Sequence, residues 1–335
     1  MLLVLCLLAI SAAAIYVACD YFVNGIEWTG RKLQLGATAT GTVLAAFGTA
    51  LPESAVTFVA VMFGKTPEAR DIGVGAALGG PLVLATVAYA VVGVALWSNR
   101  RKLQRADRII RVDHRRLARD QSWFLAIFAI KAGLGLVAFS IKPWLGIGFL
   151  LAYALYASRE MRRVDSAPED EQLEPLKLQS RQAEPSWGWV AVQTTGAVLV
   201  IAIASKLFVG QLEGLGSLLG FPAHLVALIL SPVATELPET LNALIWVRQG
   251  KERLALGNIS GSMMIQATIP SSIALFATPW LFDTPLIVAS GITMVAIGYL
   301  WWLFRQGRVD ALRLLPAGLL YVAFALFMVW YEVMR

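Results

Sequence analysis

The chain is poor in the residues that make disulfides and soft metal sites. Among its 335 residues there are two cysteines and two histidines. Cys6 and Cys19 share the first apolar run, which leaves no disulfide framework and no thiolate cluster; both read as small buried hydrophobes. His114 lies in a basic stretch and His224 at the start of a later apolar run, so a hydrolase built on imidazole has no support. Charge is also scarce. Asp, Glu, Lys and Arg make up 15% of the residues, against roughly one quarter in soluble domains. With a mean hydropathy of +0.67, this argues against a soluble globular domain.

What the chain does have is a series of apolar runs, each long enough to cross about 30 Å of hydrocarbon as a helix. Backbone groups in lipid must bond internally, and the runs lack the alternation of a membrane β-barrel. The pattern predicts an all-α membrane protein with transmembrane helices over 2–28, 36–63, 71–97, 122–140, 143–158, 187–212, 221–247, 254–281, 284–304 and 312–333. The first run resembles a signal peptide but lacks a basic start, so it is kept as a helix. Residues 98–121 are strongly basic. Residues 159–186, rich in Glu, Pro and Gln, read as a flexible linker. The linker divides the chain into 1–158 and 187–335, with five spans each.

The net charge of +6 is unevenly spread. Arg31, Lys32, the 98–121 loop, the linker, Arg248, Lys251, Arg253, Arg305, Arg308 and Arg313 fall on one face. Lys65, Arg70, Lys142 and Arg335 fall on the other, while Lys131 and Lys206 lie inside spans. Positive loops stay cytoplasmic, so the linker is expected inside the plasma (inner) membrane and both termini outside. The basic loop serves as a topological anchor, with contact to anionic membrane lipid as a second reading. No nucleic-acid partner and no obligate protein partner are inferred.

The two halves repeat. At an offset of 186, Phe22, Val23, Glu27 and Gly30 fall on Phe208, Val209, Glu213 and Gly216, and Thr49, Leu51, Pro52 and Glu53 on Thr235, Leu237, Pro238 and Glu239. At an offset of 182, Gly75–Gly80 falls on Gly257–Ser262. Five spans is an odd number, so the second repeat enters the membrane inverted, a plan common among secondary transporters.

Glu53 and Glu239 lie deep in matching spans, where a carboxylate is costly without a functional partner. Pro52 and Pro238 cannot donate to the carbonyls of Gly48 and Ala234, so each helix is expected to break there and turn carbonyl oxygens inward. Thr49 and Thr235 sit one turn before each Glu, on the same face. Carboxylate, carbonyl and hydroxyl oxygens together suit a hard cation such as Ca2+ or Na+. Asn258, Ser262 and Gln266 recur every four residues along one face. Glu236 is expected beside Glu239, or paired with a base at a packing seam. Lys131 is a candidate internal cation for Glu53 or Glu236, against snorkelling or packing on a carbonyl. No cofactor is expected.

Gly48–Ser54 (GTALPES), Ala234–Thr240 (ATELPET) and Ala255–Gln266 (ALGNISGSMMIQ) resemble signatures of the cation/calcium exchanger superfamily, which includes the sodium/calcium exchangers. The resemblance covers essentially the whole chain. It implies alternating-access antiport of Ca2+ against Na+ or H+, with no enzyme activity. Glu53 and Glu239 would be central ligands, joined by Thr49, Thr235, Asn258 and Ser262, and spans 1 and 6 would slide as a pair. The chain departs from the pattern at Ala50, Glu236, Ala76, Gly80 and Pro81. Neutral oxygens are lost and an acid is gained, which implies fewer sodium sites or proton coupling through Glu236. A cation channel and a non-transporting sensor remain lower alternatives.

Overall fold

The structure is a computed structural model that describes residues 1–63, 67–162, 173–218, 229 and 231–334. Some side chains within the helices, those of residues 51–53 and 234 among them, lie outside the described residues. The fold is helical. In chain order the helices are α1 (Leu2–Lys32), α2 (37–63), α3 (67–99), α4 (His114–Leu134), α5 (Leu145–Met161), α6 (Trp187–Leu218), α7 (231–248), α8 (Glu252–Ala277), α9 (Thr284–Arg305) and α10 (Leu315–Val333). Among the described residues, six segments are long and apolar enough to cross a membrane: Leu2–Lys32, Val74–Asn99, Trp187–Phe208, Glu252–Ala277, Thr284–Arg305 and Ala311–Val333. The other helices fall short for visible reasons. α2 is interrupted, α4 opens with Arg115, Arg116, Arg119 and Asp120, α5 has 17 residues, and much of the run expected at 221–247 lies outside the described residues.

α8 forms the axis of the molecule. It is buried along most of its length and packs against α2, α3, α4, α5 and α7. α1 and α6 lie along each other at the side and expose much of their apolar surface. The α2–α8 contact is backbone against backbone. A Cβ on Gly261 would stand 2.0 Å from the Thr42 carbonyl oxygen, and one on Gly41 would stand 2.8 Å from that of Leu254. Gly261→Ala is therefore expected to destabilise the bundle by about 1–3 kcal/mol. Gly291→Ala, which meets nothing within 4 Å, should leave the melting temperature unchanged in the same detergent assay.

Two expectations are corrected. The helix does not break at Gly48–Pro52: α-helix continues over Ala46–Phe63, and the irregularity sits upstream as a π-helical turn, Thr40–Ala45. A proline only removes one hydrogen bond and crowds one turn, which a helix held by neighbours can absorb. The wider π turn instead falls where Gly41 lets α2 approach α8.

The linker is also not free over its second part. Leu176 is fully buried against Trp28 of α1 and Val190 of α6. Lys177 pairs with Asp20 at 2.6 Å, Trp28 Nε1 donates to the Glu174 carbonyl at 2.9 Å, and the Leu178 amide donates to Gln193 Oε1 at 2.9 Å. One apolar side chain in a polar stretch, with polar partners on two helices, outweighs the disorder its composition suggests. Burying a charge at this position is unfavourable, so Leu176→Asp should undock the segment. The expected result is faster proteolytic cleavage between 173 and 186 with unchanged helix content.

Candidate cation site

The site is built where α7 breaks. Helix Ser231–Thr235 stops, Glu236 adopts φ −85° and ψ 5°, and helix Leu237–Arg248 starts with Pro238 in its first turn. Proline is favoured there because its missing N–H would be unpaired anyway. The break lies at Glu236, two residues before Pro238, and it creates a fresh helix N-terminus. Glu239 lies in that first turn, where the helix dipole favours a carboxylate.

Glu236 and Glu239 are 0% and 1% exposed. The Gln266 amide donates to both Glu236 oxygens at 2.9 Å. Asn258 Nδ2 donates to the Glu239 carbonyl at 3.4 Å. The Glu239 carboxylate interacts with the Glu236 carboxylate and with the Thr49 hydroxyl of α2, so the two halves of the chain meet at this residue. Thr49 also donates to the Ala45 carbonyl at 3.2 Å. Ser262 lies between Asn258 and Gln266 on the same face of α8, fully buried.

Three oxygens here, Glu239 Oε2, Asn258 Oδ1 and Ser262 Oγ, are buried with no hydrogen-bond partner among the described residues. Leaving a buried polar atom unsatisfied costs about 1–3 kcal/mol. The arrangement concentrates acceptors around a carboxylate, which is the chemistry of a cation ligand set.

Not every expected residue joins. The Thr235 hydroxyl donates to the Pro232 carbonyl within its own helix at 3.1 Å. The side chain of Glu53, with those of Pro52 and Ala234, lies outside the described residues. Lys131 does not snorkel: it is fully buried, and its ammonium donates to the carbonyl of Ala77 at 2.7 Å and that of Gln266 at 3.5 Å.

Sequence reasoning missed a second polar cluster. Gln121 Nε2 donates to Tyr89 Oη at 2.8 Å and to Ser260 Oγ at 3.2 Å. Ser260 is two residues from Asn258, about 200° around the helix, so this cluster sits behind α8. No spacing in the sequence announces it. Glu27, one of the repeated residues, accepts from Trp246 Nε1 at 2.8 Å and from the Lys251 ammonium.

The family model for sodium/calcium exchanger protein matches residues 3–159 and 189–331, one segment in each half. Among curated relatives, the putative antiporter CaxA of Alkalimonas amylolytica is 24% identical over 313 residues, covering 91% of both chains. The inner membrane protein YrbG of Escherichia coli (strain K12) is 23% identical over 84% of this chain and 82% of its own. The solved structure of the sodium-calcium exchanger NCX_Mj, soaked with 2.5 mM Na+ and 10 mM Sr2+, superposes with a TM-score of 0.73 at 18% identity, covering 96% of this chain and 97% of that one.

Proposed function

The chain belongs to the sodium/calcium exchanger protein family and is an integral membrane cation antiporter rather than an enzyme; from that premise we propose that it exchanges Ca2+ against Na+ by alternating access. Its ten spans form two inverted five-helix repeats, 1–158 and 187–335, joined through 159–186. The basic loops and the linker face the cytoplasm of the plasma (inner) membrane, with both termini outside. Ca2+ binds between Glu239 of α7, Glu53 of α2, and the oxygens of Asn258, Ser262 and Thr49, while the Thr235 hydroxyl stays with the Pro232 carbonyl.

One observation carries this reading. Glu239, Asn258 and Ser262, which the repeat and the helical spacing single out independently, each carry a buried oxygen with no hydrogen-bond partner among the described residues. A desolvated cation would satisfy all three at once. Ca2+ takes roughly 6–8 oxygens, and carboxylates from oppositely oriented halves supply the charge from both sides.

Glu236 supports a second reading, Ca2+ exchange against H+. It is a fully buried carboxylate beside another, and adjacent acids in a dry interior do not both ionise cheaply. Radioactive Ca2+ uptake into proteoliposomes under imposed gradients tests both. Uptake driven by an outward Na+ gradient is the expected result. Uptake driven by a proton gradient alone favours the second reading, and equal flux with no counter-gradient overturns antiport.

A further inference from the structure

Among the described residues, two prolines outside the Pro-Glu motifs lie in helix interiors, Pro81 in α3 and Pro270 in α8. A helical proline deprives the carbonyl four residues earlier of its donor. Those carbonyls belong to Ala77 and Gln266, and both accept from the ammonium of Lys131, at 2.7 and 3.5 Å. The Gln266 carbonyl also takes the Ser271 hydroxyl at 3.5 Å, as expected of an acceptor without its helical partner. The ammonium is 5.0 Å from the ring centre of Phe128 and 6.0 Å from that of Trp280. Trp280 in turn donates its Nε1 to the Lys131 carbonyl at 3.1 Å. Bared carbonyls and aromatic faces are what a desolvated monovalent cation needs.

This position is joined to the candidate site through one residue. Gln266 accepts from Lys131 with its carbonyl and donates to both Glu236 oxygens with its side chain. The repeat shows what Lys131 compensates. Asn258, Ser262 and Gln266 of α8 correspond to Ala76, Gly80 and Leu84 of α3, so that face of α3 offers backbone carbonyls in place of side-chain oxygens.

We propose that Lys131 is a tethered, non-transported cation: its ammonium fills the position between the two proline-freed carbonyls that a monovalent coupling ion would otherwise take, so the chain cycles one coupling ion fewer. The proposal rests on the antiporter reading above and adds a fixed positive charge to its balance. That charge offsets one of the neighbouring carboxylates in both states of the cycle. A brace with no role in ion balance would also hold α3, α4 and α8 together, but its removal would not alter ion dependence.

The test compares wild type, Lys131→Gln and Lys131→Arg in proteoliposomes. Lys131→Gln is expected to steepen the Na+ dependence of Ca2+ exchange by about one in Hill slope, and Lys131→Arg to keep the wild-type slope. In detergent, Na+ should raise the melting temperature of Lys131→Gln more than that of wild type, because a newly admitted ion binds only the folded chain. This second readout needs no transport, so an inactive wild type would sink the antiporter reading while the melting data still judged Lys131. An unchanged slope together with an unchanged Na+ response overturns the proposal. If Lys131→Gln aggregates, Lys131→Gln/Glu236→Gln, which removes both charges, should recover a monodisperse protein; aggregation of the double variant leaves only a brace and refutes the idea.

Discussion

Glu239→Gln abolishes gradient-driven Ca2+ uptake while leaving the protein folded. The side chain keeps its shape, but one oxygen becomes an amide donor aimed where a cation stands. Breaking a buried charge pair from one side costs about 3–5 kcal/mol, a loss of at least about a hundredfold in affinity. The fold does not suffer, because Glu239 is 1% exposed and its Oε2 has no partner among the described residues. Removing that charge relieves desolvation, and the remaining amide oxygen still accepts from the Thr49 hydroxyl, so the melting temperature without Ca2+ should hold or rise. A structural acid would behave the other way, losing stability and activity together. Glu53→Gln is expected to match it, since Glu53 occupies the equivalent position in the repeat. Glu184→Gln, at an exposed position, is the control. Uptake above about a tenth of wild type in a folded Glu239→Gln protein would remove Glu239 from the binding site.

How much of this was legible in the sequence follows from the physics of each feature. Several helix positions were legible because apolar length is set by the bilayer, and α8 and α9 begin within two residues of expectation; α4 was not, since it starts at His114 rather than 122 and takes in the end of the basic stretch. The α8 face was legible because four-residue spacing on a helix is unambiguous: Asn258, Ser262 and Gln266 all come out buried on one side. Helix irregularities were legible only in part. A proline marks which carbonyl loses its donor, not whether the helix bends, so α7 breaks at Glu236, two residues before Pro238, while α2 runs on past Pro52 and widens at Thr40–Ala45 instead. The same rule applied to Pro81 and Pro270 would have pointed to Ala77 and Gln266. It had no reach to Lys131, because meeting across three helices is a property of packing. Leu176 was missed for a similar reason, as a single apolar residue in a polar stretch carries no periodic signal.

Glu236→Gln separates the two coupling ions. The Glu236 carboxylate is fully buried beside that of Glu239 and accepts from Gln266 Nε2 with both oxygens. On the proton-coupled reading it is the group that gives up a proton when Ca2+ arrives beside it. If H+ is the coupling ion, wild-type exchange slows as acid holds the proton on Glu236, and Glu236→Gln, which fixes the protonated form, stays at the slow acid-limit rate at every pH. If Na+ is the coupling ion, the variant keeps the wild-type pH profile and loses apparent affinity instead, since a carboxylate near the cation is gone. Stopped-flow exchange measured across acid and neutral pH, at fixed membrane potential and with and without Na+, distinguishes these outcomes. Glu236→Asp should retain the wild-type shape of the profile, because it keeps the titrating group while retracting it from Gln266. A wild-type profile retained in Glu236→Gln would show that another group carries the pH dependence and would end the proton-carrier role of Glu236.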